Sequence, residues 1–243
     1  MKAQTILFVA VLWQLSNDAS ERVFAGPSDG KTLPHGTLVS EDSFCGGWSP
    51  GNGVFVTINH QGEILASKNG IAQPSHNSGW RTFFRDLVFG NGQFVAVGGS
   101  YIDVTGVIVT SPDGLVWTRR NARSKTNLHG VTFGNAQFVA VGDAGTILTS
   151  IDGVTWVNRV SGSSAHLATV SFGHGVFVAG GESGTILTST DGVHWNSQSL
   201  GPSVYVGRIV YRNGHFLVSQ SGTAHVSVDG HVWHQTSGIN VSN

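Results

Sequence analysis

The sequence is poor in charge, in cysteine and in long apolar runs. Only 11 % of its 243 residues are Asp, Glu, Lys or Arg, and the formal net charge is −1. So even a balance gives no whole-molecule pull toward nucleic acid or an anionic membrane surface, and neither is expected as a partner. Cys45 is the only cysteine, which excludes an internal disulfide and a zinc site built from paired cysteines. No segment reaches the roughly 20 apolar residues of a membrane-spanning helix, so no membrane insertion is expected. No 3.6-residue amphipathic period runs through the chain, which argues against helical bundles. The longest apolar run, Ile6 to Trp13 behind Met1-Lys2, has the form of a secretory signal over residues 1–21, with cleavage placed between Ala19 and Ala25. A secreted or periplasmic location follows as an expectation.

What is abundant is glycine, at 34 residues, spread among Val, Ile, Thr and Phe. The pattern Ser-x-Asp-Gly-x-x-Trp starts at Ser111, Ser150, Ser189 and Ser227, at intervals of 39, 39 and 38 residues. A period of that length signals a repeat architecture. Ahead of each copy lies a second shared block, as in Phe89-Gly90-Asn91-Gly92-Gln93-Phe94, Phe133 to Val141, Phe172 to Gly180 and Tyr211 to Ser219. A fifth unit starts near Ser49 and leads to the decayed box Ser67-Lys68-Asn69-Gly70, with Trp80 as its displaced tryptophan. Within one unit, Leu128 to Phe133, Gln137 to Val141, Thr146 to Ser150 and Val154 to Asn158 read as short strands separated by turn residues. Four antiparallel strands per unit make a propeller blade. The expected fold is therefore all-β, a propeller with five visible repeats over 44–243. Residues 22–43 form an N-terminal arm or a sixth, degenerate blade.

Each heptapeptide has a physical rationale. The carboxylates of Asp113, Asp152, Asp191 and Asp229 accept backbone N–H groups in the turn, the serines Ser111, Ser150, Ser189 and Ser227 tie it, and Trp117, Trp156, Trp195 and Trp233 fill space between blades. In this pattern the sequence resembles the Asp-box, or BNR, repeats of the sialidase-like propeller superfamily. The resemblance implies that these residues are structural, on the blade periphery, and carry no chemistry. Sialidases also hold their substrate with three arginines, the first in Arg-Ile-Pro, and use a Tyr-Glu nucleophile pair with an acid Asp. None of the six prolines here has an arginine two positions before it, and Arg208-Ile209-Val210 is the nearest remnant. Only Tyr101, Tyr205 and Tyr211 are available as nucleophile, and Tyr211 occupies the core position of Phe133. Sialidase activity is not expected.

Other chemistry is equally sparse. No Gly-x-Ser-x-Gly elbow or His-Glu-x-x-His motif occurs, and His231 and His234 sit at an i, i+3 spacing that a strand places on opposite faces. Neither a metal nor a cofactor is expected, and no catalytic residue is assigned. The turns between first and second and between third and fourth strands repeat monotonously and share one face. The opposite face carries variable loops, where function more often resides. It includes His60-Gln61, Tyr101 and Asp103 in an enlarged hairpin, Asp143, Glu182, Gln220, the basic run Arg119 to Lys125 and the connection Arg159 to His166. Arg85, Asp86, His129, Thr169 and Arg208 stand at equivalent or adjacent repeat positions at the start of the innermost strand. Together these form the expected ligand-binding mouth. The preferred reading is a non-catalytic binding or scaffold propeller recognising a glycan or a protein. The alternatives are a glycosidase-type enzyme, with carboxylates drawn from Asp86, Asp143 and Glu182, and a structural component of an oligomer or larger assembly.

Overall fold

A computed structural model of the chain describes residues 49–51, 53–58, 62–67, 73–74, 81–220 and 223–237. The expected signal segment, the N-terminal arm, Cys45, His60-Gln61, the decayed box after Ser67 and Trp80 lie outside the described residues. Among the described residues, twenty strands form five four-stranded sheets, each antiparallel in simple chain order. Sheet 1 comprises β1 (Ser49–Gly51), β2 (Val54–Ile58), β3 (Ile64–Ser67) and β4 (Gln73–Pro74). Sheet 2 comprises β5 (Thr82–Gly90), β6 (Gln93–Ser100), β7 (Gly106–Ser111) and β8 (Thr118–Arg120). In sheet 3 these are β9 (Leu128–Gly134), β10 (Gln137–Gly142), β11 (Ile147–Ser150) and β12 (Val157–Arg159). Sheet 4 contains β13 (Leu167–Gly173), β14 (Val176–Gly181), β15 (Thr185–Ser189) and β16 (Asn196–Ser199). Sheet 5 contains β17 (Ile209–Arg212), β18 (His215–Gln220), β19 (Thr223–Ser227) and β20 (His234–Ser237). Among the described residues no helix is long and apolar enough to cross a membrane.

Turn chemistry sets the register. The hairpin from first to second strand is closed by two left-handed residues, Asn91-Gly92, Asn135-Ala136, His174-Gly175 and Asn213-Gly214 in sheets 2 to 5. That geometry matches the twist of the flanking strands and favours Asn and Gly. The heptapeptides close the third-to-fourth hairpin. Oδ1 of Asp152 accepts the N–H groups of Val154 and Thr155 at 2.9 and 2.8 Å and the Ser150 hydroxyl at 2.9 Å. Asp113, Asp191 and Asp229 do the same in their sheets. These donors hold the four carboxyls below the usual carboxylate range, the Thr155 N–H contributing most at Asp152 and the His194 side chain most at Asp191. The same bonds correct one expectation. The outer strand of sheet 3 starts at Val157 rather than Val154, because Val154 and Thr155 are committed to the Asp152 turn and Trp156 to the core.

The cores lie between sheets, not within them. Trp156 is 1 % exposed and packs with Phe138 of its own sheet and Val95, Val97 and Ile108 of sheet 2. Its indole N–H donates to the Gly153 carbonyl at 2.9 Å. Trp117, Trp195 and Trp233 occupy the same place one sheet earlier, one sheet later and two sheets later. A second link repeats at the end of each inner strand. Gly90, Gly134 and Gly173 lie flat against the rings of Phe133, Phe172 and Tyr211 of the following sheet, leaving no room for a Cβ. Each of those rings also meets the first aromatic of its own second strand at 4.7 Å, as Phe133–Phe138, Phe172–Phe177 and Tyr211–Phe216. A third link is polar. Gln93 and Gln137 donate through Nε2 to the carbonyls of Asp152 and Asp191, and Asn91 and Asn135 through Nδ2 to those of Ile151 and Thr190. The first-to-second turn of one sheet thereby caps the heptapeptide of the next, so both sets of turns share one face.

Candidate functional site

The opposite face is assembled from the second-to-third hairpins and the connections that lead into each inner strand. In sheet 3 the hairpin is Asp143-Ala144-Gly145-Thr146, where Ala144 and Gly145 are both left-handed and Thr146 N–H bonds to the Asp143 carbonyl at 3.1 Å. Asp143 N–H donates to the Asn127 carbonyl and Gly145 N–H to that of Ala165, so the hairpin is pinned between its own entry segment and the next. Sheet 4 repeats this with Glu182 N–H on the His166 carbonyl and Gly184 N–H on that of Val204. The chain there is fixed by backbone bonds, and side chains at these points are held in place.

A β-bulge presents the residues of the inner strand. Register slips between Phe84 and Asp86, between Leu128 and Gly130, and between Leu167 and Thr169, so Arg85, His129 and Ala168 are the extra residues. Bulges re-aim side chains and recur beside functional sites. Arg85 is exposed, with its guanidinium 4.9 Å from the centre of the Phe83 ring. Phe83 in turn packs against Tyr101 at 5.0 Å. The enlarged hairpin of sheet 2 then projects Tyr101, Ile102 and Val104, which are 66 %, 70 % and 57 % exposed. Asp103 on the same hairpin accepts the Thr105 hydroxyl at 2.9 Å and serves the turn.

His129 Nε2 lies 2.9 Å and His166 Nδ1 2.6 Å from the same oxygen of Asp143, Oδ1. The two imidazole rings are 4.4 Å apart, and Tyr205 stacks nearly parallel on His166 at 6.5 Å. Burial pulls Asp143 upward, but the hydrogen bonds from His166 and His129 outweigh it and hold the carboxyl below its ordinary value. Burial likewise pulls His129 below the usual imidazole value, against the opposing pull of Asp143. His129 is therefore a neutral ring donating to a carboxylate at pH 7. His166 closes the variable connection Arg159 to His166 that the sequence places on this face, although it was not named individually as a binding residue.

Two of the expected mouth residues are engaged between sheets. Asp86 Oδ2 accepts the Val131 N–H at 2.9 Å and Oδ1 the Leu87 N–H at 2.9 Å. Thr169 Oγ1, at the same repeat position, accepts the Ile209 N–H at 3.2 Å. Each closes the seam to the following inner strand. Asp86 is half-buried and its carboxyl is desolvated, which pushes its pKa up to about 6 against the two N–H donors and the charge of Arg208. Arg208 and Glu182 are exposed. Of the basic run, Arg120 is anchored by Nε to the Thr110 hydroxyl at 2.9 Å, as Arg159 is to Thr149, while Arg123 and Lys125 are exposed.

The raised pKa of Asp86 has a definite sign. The folded state keeps a proton that the unfolded chain loses near pH 3.8, so this stabilisation is complete below that value and is lost as pH rises through about 6. Asp86→Asn removes the titration. Between pH 4 and pH 7.5 the variant's stability relative to the parent should rise by up to about 3 kcal/mol. Denaturant midpoints at the two pH values measure this, and an unchanged difference would rule it out.

No protein-family model matches the sequence, and neither does any curated protein. Solved structures do resemble the fold. One, titled YCF48 bound to D1 peptide, superposes with a TM-score of 0.57 at 18 % identity, over 84 % of this chain and 69 % of that one. YCF48 from Cyanidioschyzon merolae gives a TM-score of 0.56 at 12 % identity, over 78 % and 70 %. The computationally designed protein Ika8 gives 0.57 at 15 % identity, over 80 % of this chain and 62 % of that one. The all-β array of five four-stranded sheets thus matches β-propeller neighbours.

Proposed function

We propose that this chain is an exported, non-catalytic β-propeller of Asp-box type that binds a protein segment on the face carrying Arg85, Tyr101, Ile102 and Val104. The observation that carries the reading is the pairing of an exposed apolar hairpin with exposed cations. Tyr101, Ile102 and Val104 stand beside Arg85, and Arg123, Lys125 and Arg208 are exposed as well. Aromatic and arginine side chains dominate the energetics of protein interfaces, and an arginine fork matches a carboxylate. The fitting partner is a peptide with apolar side chains next to an acidic residue or a terminal carboxylate. Two further points support it. A neighbour of the same fold is titled as a complex with a peptide. Two of the three carboxylates named for hydrolysis are committed elsewhere, Asp86 to backbone N–H groups and Asp143 to two histidines, while Glu182 is exposed.

Selection of a random peptide library on the full chain tests the reading. Enriched peptides should bind Arg85→Ala and Ile102→Ser at least 10-fold more weakly, the loss expected for a central anchor of roughly 1.4 kcal/mol or more. Enrichment that ignores both substitutions, or binding to a glycan panel with no peptide enriched, would sink it.

A further inference from the structure

We propose that His129, Asp143 and His166 form a binding site for one late first-row divalent cation of the Zn²⁺ type. The ligand atoms, Nε2 of His129, a carboxylate oxygen of Asp143 and Nδ1 of His166, all lie within 4.8 Å of one another. Two imidazoles and one carboxylate are a donor set that suits zinc, copper, nickel and non-haem iron, and disfavours magnesium or calcium, which prefer oxygen alone.

The geometry is close to what such a cation requires. Tetrahedral bonds of 2.0 to 2.2 Å put neighbouring ligand atoms roughly 3.3 to 3.6 Å apart. The two nitrogens stand 2.9 and 2.6 Å from Asp143 Oδ1 and all three ligand atoms lie within 4.8 Å of one another, so the cation is admitted when each nitrogen–oxygen pair opens by less than about 1 Å and the two imidazoles turn toward each other. Both nitrogens already face one oxygen, and on binding the cation takes the place of the two protons they share with it. No strand has to move, because each ligand comes from a separately fixed piece of backbone. His129 is the bulged residue of β9, Asp143 opens a hairpin held by Asn127, and the His166 carbonyl is bound by Glu182 N–H. The side chains of His129, Asp143 and His166 are 16 %, 33 % and 25 % exposed, so a cation reaches them from solvent without unfolding. Three protein ligands leave further coordination positions open toward the same face, available to water or to a group on a bound partner. The guanidinium of Arg85 acts on His129 and opposes a second cation.

The site does not depend on the peptide-binding reading, and its test leaves that reading untouched. The full chain, stripped with chelator, is titrated with zinc chloride by calorimetry and with Co²⁺ by visible absorbance. One Zn²⁺ per chain should bind and raise the melting temperature, since a ligand that binds only the folded form stabilises it. His129→Ala and His166→Ala should each weaken binding at least 10-fold, a loss of the size seen when metal-site partners are removed. His194→Ala, which removes the exposed His194–Asp191 pair on the opposite face, should leave it unchanged. Melting curves taken before zinc is added show that each variant folds. Absence of a one-to-one Zn²⁺ complex in the parent chain overturns the proposal whatever the variants do. Binding that survives in the His129→Ala, His166→Ala double variant overturns it equally.

Discussion

Gly134→Ala should destabilise the protein by about 3 kcal/mol and lower its melting temperature by roughly 6 to 12 °C, although a single methyl is all that is added. Gly134 is buried at the end of β9, and its α-carbon is covered by the Phe172 ring of the next sheet. A Cβ there would penetrate that ring, and the ring has no escape, because it also packs on Phe177 at 4.7 Å. Interiors are packed densely enough that such overlap is relieved only by shifting strands. The cause is separable from glycine's backbone freedom. Gly175 has a φ of +77° with open space where a Cβ would go, so Gly175→Ala should cost only about 1 kcal/mol, the left-handed penalty alone. In a Phe172→Ala background the alanine at 134 should become nearly neutral, giving a coupling energy of about 3 kcal/mol in a double-mutant cycle. A Gly134→Ala melting temperature within a degree of the parent would refute the packing argument.

Trp156→Ala is the second large effect, about 3 to 5 kcal/mol measured by denaturant unfolding. The indole fills the gap between sheets 2 and 3 at 1 % exposure, and no neighbour can collapse into the void without parting the two sheets. Trp156→Phe keeps part of the volume but leaves the Gly153 carbonyl without its indole donor, and should fall between the two. Trp195 sits at the same place between sheets 3 and 4 but is half-buried, so Trp195→Ala should cost clearly less. Equal losses at the two positions would mean that burial does not govern the repeat.

Much of this architecture is legible in the sequence, for a physical reason. Left-handed two-residue turns demand Asn and Gly, and the heptapeptide turn demands Ser and Asp, so their positions print the strand plan onto the chain at a fixed spacing. What lies between sheets is harder to see. Gly134 reads as one more turn glycine, yet it belongs to β9 and its role is set by a ring 38 residues away, at Phe172. Asp86 and Thr169 read as mouth residues because they are polar at variable positions, whereas the structure turns both toward the next strand's N–H.

The histidine cluster shows a different limit. His129 and Asp143 stand out as variable mouth residues, but no chelate spacing joins 129, 143 and 166. A bulge in β9 aims the first, a left-handed hairpin holds the second, and a carbonyl bonded to the neighbouring hairpin fixes the third. A metal site was not expected from the sequence because its ligands meet only when sheets 3 and 4 are side by side.

The same links recur from one seam to the next. Gly134 receives the ring of sheet 4, Gln137 caps the turn of sheet 4, and Asp86 and Thr169 each reach forward to the next inner strand. Each seam is an interface between two neighbouring sheets, so a lesion there acts first on the two sheets it joins. The His129, Asp143 and His166 cluster straddles the seam between sheets 3 and 4, so a cation held there would act as a rivet across it, coupling occupancy of the loop face to the cohesion of the whole row.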